Sequence, residues 1–376
     1  MKIYYDILPA LDNHSSGTKR YCENLFWELK NLELINDFKI IACANRSRTS
    51  GLDNYGAVRI RYPYRNLRRR ISMNNLLYDL PLEWWLGDFD IYHGTFHSIL
   101  PTKKAKKIIT MHDVVEVSAP DTVSKKDAEQ AKKNNLFFMN NADHIITVSQ
   151  ATKLDIVKYY NVNPNKISVV HLAADEKYQK KKISLEVAEK IRTKYALPKQ
   201  FLLHVGMLRK RKNIPNTIRG FALVKNDIPH DLVFVGAWAD AKQEIEDTIR
   251  ELGIKDRVHF LGGISEEDLL SIYNMAEVFL QVSYLEGFGL PIIEALKCGL
   301  PVVASNNSAI PEVLGDGGIM VEASDYIQIA EGIRKILSSQ EIYKTYTSKG
   351  LAHAENFSWR KTAEATFEVY RKVSEG

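Results

Sequence analysis

Between Gln200 and Glu322 six short apolar runs recur: QFLLHVG (200–206), DLVFVGA (231–237), RVHFLGG (257–263), VFLQVS (278–283), PVVAS (301–305) and GIMVE (318–322). Amphipathic stretches such as IPNTIRGFALVK and SEEDLLSIYNMA separate them. Runs this short, apolar and β-branched read as strands buried on both faces, which a parallel sheet covered by helices requires. The first half alternates in the same way through KIYYDIL, FKIIACA, DIYHG (90–94), KKIITMH (106–112), HIITVS (144–149) and KISVVHLA (166–173). The pattern predicts an α/β chain of two doubly wound, Rossmann-like parallel-sheet domains facing across a cleft, with ligand groups at the C-terminal ends of the strands.

The 376 residues suffice for two such domains. The segment 175–198 is charged, contains no strand-like run and ends in Pro198, so it reads as a helical connector. The expected division is 1–180 and 190–357, with a last helix over 358–376 that packs back onto one of the two, the first being the expected choice. No apolar stretch approaches the roughly 20 residues that span a bilayer. The first ten residues are too polar for a secretory signal. Cys22, Cys43 and Cys298 have no paired or metal-type spacing, and a reduced, cytoplasmic setting is the expectation.

Charge is uneven. Residues 1–180 carry 26 Lys+Arg against 20 Asp+Glu, whereas residues 181–376 carry 25 against 26. The excess concentrates in RYPYRNLRRR (61–70) and KKAKK (103–107), with Trp84 and Trp85 nearby. A patch facing anionic membrane and a solvated helix face or loop are the two readings. Nucleic acid is disfavoured because no recognition motif accompanies the charge.

The segment that carries most chemistry is EGFGLPIIE (286–294). It follows an apolar strand, and Pro291 suits the first turn of a helix. A glycine loop entering a helix offers backbone N–H groups and a partial positive charge to an anion. Glu286 falls in the loop and Glu294 on the second helical turn, so both can face a ligand that carries phosphate and hydroxyls. The alternative is an ordinary strand–helix corner with solvated acids. VGMLRKRKN (205–213) puts four cations on another strand-end loop, as a diphosphate needs; a solvated turn is the competing reading. Gly17 lies between the first strand and first helix, where a close backbone approach or a simple turn explains it. His112 leaves a strand beside Asp113, either to meet a sugar hydroxyl or reacting centre or as a loop residue without a role.

Asp88-Phe89-Asp90 matches a metal-binding D-x-D but precedes its strand instead of ending it, and no second histidine or cysteine sits at ligand spacing, so no metal is expected. Neither G-x-G-x-x-G after a strand nor G-x-x-x-x-G-K-[ST] is present. The N-x-S tripeptides at Asn13, Asn45, Asn306 and Asn356 read as chance.

Together, EGFGLPIIEALKCGLPVVAS (286–305), IPEVLGDGGIMVEASD (310–325), HVGMLRKRKN, VHFLGGISEEDL, HDVVEV and HIITVSQATKLDI resemble the retaining glycosyltransferases of family 4, which have the GT-B fold. The resemblance runs from about residue 1 to 370. It implies that Glu294 binds the nucleotide ribose and Glu286 the donor sugar, with backbone at Phe288, Gly289 and Leu290 on the diphosphate or sugar. Arg211 and Lys212 correspond to the basic pair on the pyrophosphate, backbone from Gly262 to Ile264 holds the base, and Gly17 and His112 serve the N-terminal side. Many members carry another arginine where this chain has Met207, and Arg209 is the substitute.

The implied activity is metal-independent transfer of a hexose, mannose or glucose, from a GDP- or UDP-linked sugar to a lipid-linked or polysaccharide acceptor in cell-surface glycan synthesis. Retention follows if the acceptor attacks from the leaving-group face with the departing phosphate as base. No cofactor is expected beyond the nucleotide-sugar substrate, and the setting is cytoplasmic or peripheral on the inner face of the plasma membrane. A nucleotide-sugar epimerase and a non-catalytic sugar-nucleotide-binding protein are the alternatives.

Overall fold

The computed structural model describes residues 1–11, 17–34, 36–44, 51–59, 81–97 and 99–375. The basic run 61–70 and the tripeptides at Asn13 and Asn45 lie outside them. The chain divides into two compact units, Met1–Leu172 with Trp359–Gly376, and Ala173–Ser358.

The first unit is built on β1 (Lys2–Asp6), β2 (Lys39–Ala44), β3 (Val58–Arg59), β4 (Ile91–Gly94), β5 (Lys106–Met111), β6 (His144–Thr147) and β7 (Ile167–Val169). Their order is β3-β2-β1-β4-β5-β6-β7, and every pairing is parallel. β3 has only two residues, too short to leave an alternating or apolar pattern in the sequence. Helices cover both faces, so β4 and β6 are buried along their whole length. The final helix, Trp359–Glu375, belongs to this unit. Phe367 stacks on Phe38 at 4.6 Å, Thr362 donates to the His171 carbonyl at 2.8 Å, and the Tyr370 hydroxyl lies 2.6 Å from His93 Nδ1.

The second unit holds β8 (Phe201–Val205), β9 (Asp231–Val235), β10 (Val258–Gly262), β11 (Val278–Gln281), β12 (Val302–Ser305) and β13 (Gly318–Val321) in the parallel order β10-β9-β8-β11-β12-β13. Leu202, Phe234, Val278, Leu280 and Val303 pack with Ile218, Phe221, Ile329 and Ile333 of the flanking helices, all with no exposed surface. The stretch 173–198 is helical only over Leu185–Tyr195, capped by Ser184, whose side chain accepts from the Val187 N–H.

In this order the chain winds outward from β8 to β10, then returns to place β11 on the other side of β8. The loops after β8 and β11 therefore leave the C-terminal edge in opposite directions and open a crevice there, where ligands of such sheets bind. In the first unit the corresponding pair is β1 and β4.

Candidate functional site

The loop after β8 is set by two glycines. Gly206 has φ 148° and donates its N–H to the Val235 carbonyl at 2.8 Å. Gly236 has φ 147°, and a Cβ there would lie 2.0 Å from the Gly206 carbonyl oxygen. So close an approach of two strand ends excludes any side chain. Lys210–Lys212 then makes one 3-10 turn, Asn213 takes a left-handed φ of 54°, and its side chain donates to the Ala323 carbonyl at 2.6 Å. The Arg211 carbonyl accepts the Tyr284 N–H at 2.8 Å, which ties this loop to the one after β11.

That tie brings Arg211 and Lys212 onto Glu286. Glu286 is 6% exposed. Its Oε1 accepts from Lys212 Nζ at 2.5 Å, Gln281 Nε2 at 2.5 Å and Ser283 Oγ at 2.6 Å, while Oε2 accepts from Arg211 Nη1 at 3.1 Å. Burial alone would raise the carboxyl's pKa, but the Lys212 and Arg211 charges and these hydrogen bonds override it and hold the group at about 2. Glu286 is therefore an ionised, rigidly oriented acceptor at neutral pH.

Four residues on, helix Leu290–Lys297 begins. Gly289 precedes it at φ 110°, no side chain caps it, and Pro291 lies in its first turn. Its N-terminus thus adds a partial positive charge close in sequence to the Glu286 loop. Phe288 and Leu290 are buried, and the Phe288 ring meets Phe357 edge-on at 5.9 Å. Glu294 sits on the second turn with no exposed surface, and its Oε2 accepts from the Tyr273 hydroxyl at 2.8 Å. The two acids thus occupy different surroundings: Glu286 among cations, Glu294 against a tyrosine. Gly262 ends β10 at φ 69°, its carbonyl accepting the Gly236 N–H at 2.9 Å, and Ile264 is half-buried just before the helix that Ser265 caps. Arg209 is exposed, with Nη2 4.0 Å from Met207 Sδ.

In the first unit Gly17 opens helix Gly17–Glu33 and His112 follows β5. His112 lines a pocket of about 410 Å³ together with Phe96, His97, Asp113, Glu116 and Asn135. The His112 backbone N–H donates to His97 Nε2 at 3.0 Å, and its own Nε2 lies 3.0 Å from the Thr95 carbonyl. The rings of His97 and His112 are parallel, 6.0 Å apart. Burial, then the neighbouring His97, drives the His112 pKa down to about 4, so its imidazole is neutral at physiological pH. Asn135 donates to Glu116 at 2.8 Å, and Tyr160 donates to the same oxygen.

Asp90 of the D-x-D accepts the Lys2 N–H at 2.6 Å, a structural role at the start of β4. Among the described residues no group of three or more His, Cys, Asp or Glu is placed to hold a metal ion.

Residues 15–178 match the family model Glycosyltransferase Family 4, and residues 187–352 match Glycosyl transferases group 1. Over 319 residues the chain is 31% identical to the O-antigen chain mannosyltransferase B of Escherichia coli, covering 81% of each protein. The chain belongs to glycosyltransferase family 4. It is also 26% identical over 312 residues to the serotype-specific mannosyltransferase WbdA of Escherichia coli, taking in 81% of this chain and 38% of that longer one. Anabaena HepE, solved in complex with UDP-glucose, superposes with a TM-score of 0.73 at 18% identity over 99% of this chain and 100% of that one, which is the same GT-B fold.

Sequence reasoning about this family 4 member missed Gln281, Ser283, Tyr273 and His97. Two strand residues gave a usable signal. Gln281 and His204 are polar groups inside otherwise apolar strands and have no exposed surface. Such residues are retained only with partners. His204 Nδ1 faces the Leu280 carbonyl at 2.9 Å, and burial followed by the Lys212 charge lowers its pKa to about 4.

Proposed function

We propose that this glycosyltransferase moves a hexose, mannose first and glucose second, from a GDP- or UDP-linked sugar to a lipid-linked or polysaccharide acceptor of a cell-surface glycan. The names of the two E. coli relatives favour mannose. The observation that carries the reading is the buried Glu286 carboxylate, held between Lys212 and Arg211 at the β8–β11 crevice.

On this reading Glu286 accepts a hydrogen bond from a donor-sugar hydroxyl and so fixes the anomeric carbon. Lys212, Arg211 and the N-terminus of helix Leu290–Lys297, with backbone at Phe288, Gly289 and Leu290, take up the charge that develops on the leaving diphosphate. Arg209 is exposed and reaches out to the same phosphates. The bond from the anomeric carbon to the diphosphate oxygen breaks as the acceptor oxygen adds on the same face, and the acceptor's proton passes to the departing phosphate. Configuration is retained. Two fixed cations supply the neutralisation that a divalent ion supplies elsewhere, so turnover proceeds without added metal.

Glu294 takes the ribose hydroxyls and backbone from Gly262 to Ile264 the base. Because Glu294 is fully buried against Tyr273, nucleotide binding has to open this contact. Gly17 and His112 serve from the N-terminal unit, near the pyrophosphate and the sugar's reacting carbon. The enzyme works in the cytoplasm at the inner face of the plasma membrane, where a lipid-linked acceptor is displayed.

A thermal-shift panel of GDP-, UDP- and ADP-sugars tests the donor reading. A true donor at a hundred times its Kd stabilises the folded chain by about 2.7 kcal/mol. No shift with any of them would count against the site. Sugar turnover with no acceptor present would instead indicate an epimerase.

A further inference from the structure

The opposite edge of the first unit's sheet carries a second surface. β1, β4 and β5 run parallel, with Ile3 opposite Ile91 and Ile91 opposite Lys106, so their N-terminal ends align. A hollow of about 390 Å³ there is lined by Lys2, Lys104, Lys106, Asp88, Asp90 and Ser374. The acids do not neutralise it fully, because two carboxylates, Asp88 and Asp90, stand against the three ammonium groups of Lys2, Lys104 and Lys106. More cations crowd the same edge. His144, at the start of β6, is driven to a pKa of about 4 by burial and then by Lys372, Lys166 and Lys153.

Beside this hollow two indoles stand out of the protein. Trp84 is 69% and Trp85 41% exposed, with ring centroids 6.5 Å apart. They do not ride on a loose loop. Glu83, which begins their short helix, accepts the backbone N–H groups of Lys103, Lys104 and Ala105 at 2.9, 2.9 and 3.1 Å. The same carboxylate thus fixes the tryptophans against the exposed Lys103–Lys104 turn.

We propose that this face docks the chain onto an anionic phospholipid bilayer, with the indoles of Trp84 and Trp85 in the interfacial layer and Lys103, Lys104 and Lys106 on headgroup phosphates. An indole has an apolar body and a polar N–H suited to that layer, and lysine stems cross it while their ammonium groups meet phosphate. A soluble polyanion would use the lysines and leave two large apolar rings without a purpose. A protein partner is disfavoured by the density of lysine, which stable interface cores exclude. The surface is distinct from the pocket at His112, since β5, six residues long, separates the two edges by about 20 Å. The proposal stands whether or not the reaction proposed above is correct.

Vesicle flotation of the full chain tests it, using phosphatidylcholine alone and phosphatidylcholine with about one-third phosphatidylglycerol. The wild type is expected to float with the anionic vesicles only, and less at high salt. Trp84→Ala/Trp85→Ala and Lys103→Glu/Lys104→Glu are each expected to weaken partition about tenfold or more with unchanged thermal unfolding. No flotation of the wild type, or wild-type partition by the lysine variant, would overturn the proposal. Loss in the lysine variant but not in the tryptophan variant would also overturn it, in favour of a soluble polyanion.

Discussion

Lys212 Nζ lies 2.5 Å from Glu286 Oε1 across 74 residues of sequence, and both side chains are less than a tenth exposed. Neither charge could be buried alone, and each is the condition for the other. The adjacency of β8 and β11 makes the meeting possible: one strand delivers the basic loop, the other the acid.

Removing Lys212 leaves Arg211 as the one cation on the buried Glu286 carboxylate. Lys212→Met is expected to destabilise the chain in urea unfolding, by less than the roughly 3–5 kcal/mol of a buried charge with no partner. The double variant Lys212→Met/Glu286→Leu should recover much of that loss, and a double-mutant cycle gives the coupling. The pH dependence has a definite sign. Glu286 is depressed to about 2 when folded, so its contribution is complete above the unfolded value of about 4.3 and is lost as pH falls from there toward 2.

Glu286→Gln keeps the volume and removes the negative charge. If Glu286 orients the donor sugar, kcat of the folded variant falls about a hundredfold or more, and the thermal midpoint falls as well because Lys212 is left buried without its counter-charge. Steady-state kinetics on the best donor from the thermal-shift panel decides this. A variant with wild-type kcat would remove Glu286 from the reaction.

Gly236→Ala puts a methyl group into the Gly206 carbonyl and forces an L-residue to φ 147°. The expected cost is about 2–3 kcal/mol of stability. Donor affinity should fall with it, because the same contact sets the start of the Arg211–Lys212 loop. Calorimetric titration of donor into the folded variant measures that effect.

Among the described residues, four histidines are held well below their ordinary range: His93 at about 3 and His112, His144 and His204 at about 4. Burial is the leading cause in each. A depressed folded pKa gives stability that is full above the unfolded value of about 6.5 and is lost as pH falls through the folded value. The thermal midpoint is therefore expected to drop steadily between pH 6.5 and 4. A flat profile over that range would contradict the burial of these rings.

Much of the fold was legible because parallel strands buried on both faces leave unbroken apolar runs. VFLQVS marked β11 and QFLLHVG marked β8, each within two residues of its observed ends. β3 escaped because two residues carry no pattern. The candidate site was legible by type but not by pairing. Glu286, Arg211 and Lys212 could each be singled out, but their mutual ion pairs could not, since these depend on which strands become neighbours. Tyr273 against Glu294 is of the same kind: two residues on separate helices, brought together only by how those helices pack.

Hexose transfer from GDP- and UDP-sugars to a mannosylated lipid-linked acceptor, followed by mass spectrometry for the wild type and for Glu286→Gln, decides whether Glu286 serves a hexosyl transfer. Acceptor mass increments of one hexose are expected with the wild type, persisting in a chelator, and nearly none with the folded Gln variant. Transfer by the variant at the wild-type rate, or no transfer by the folded wild type from any donor, would contradict that role.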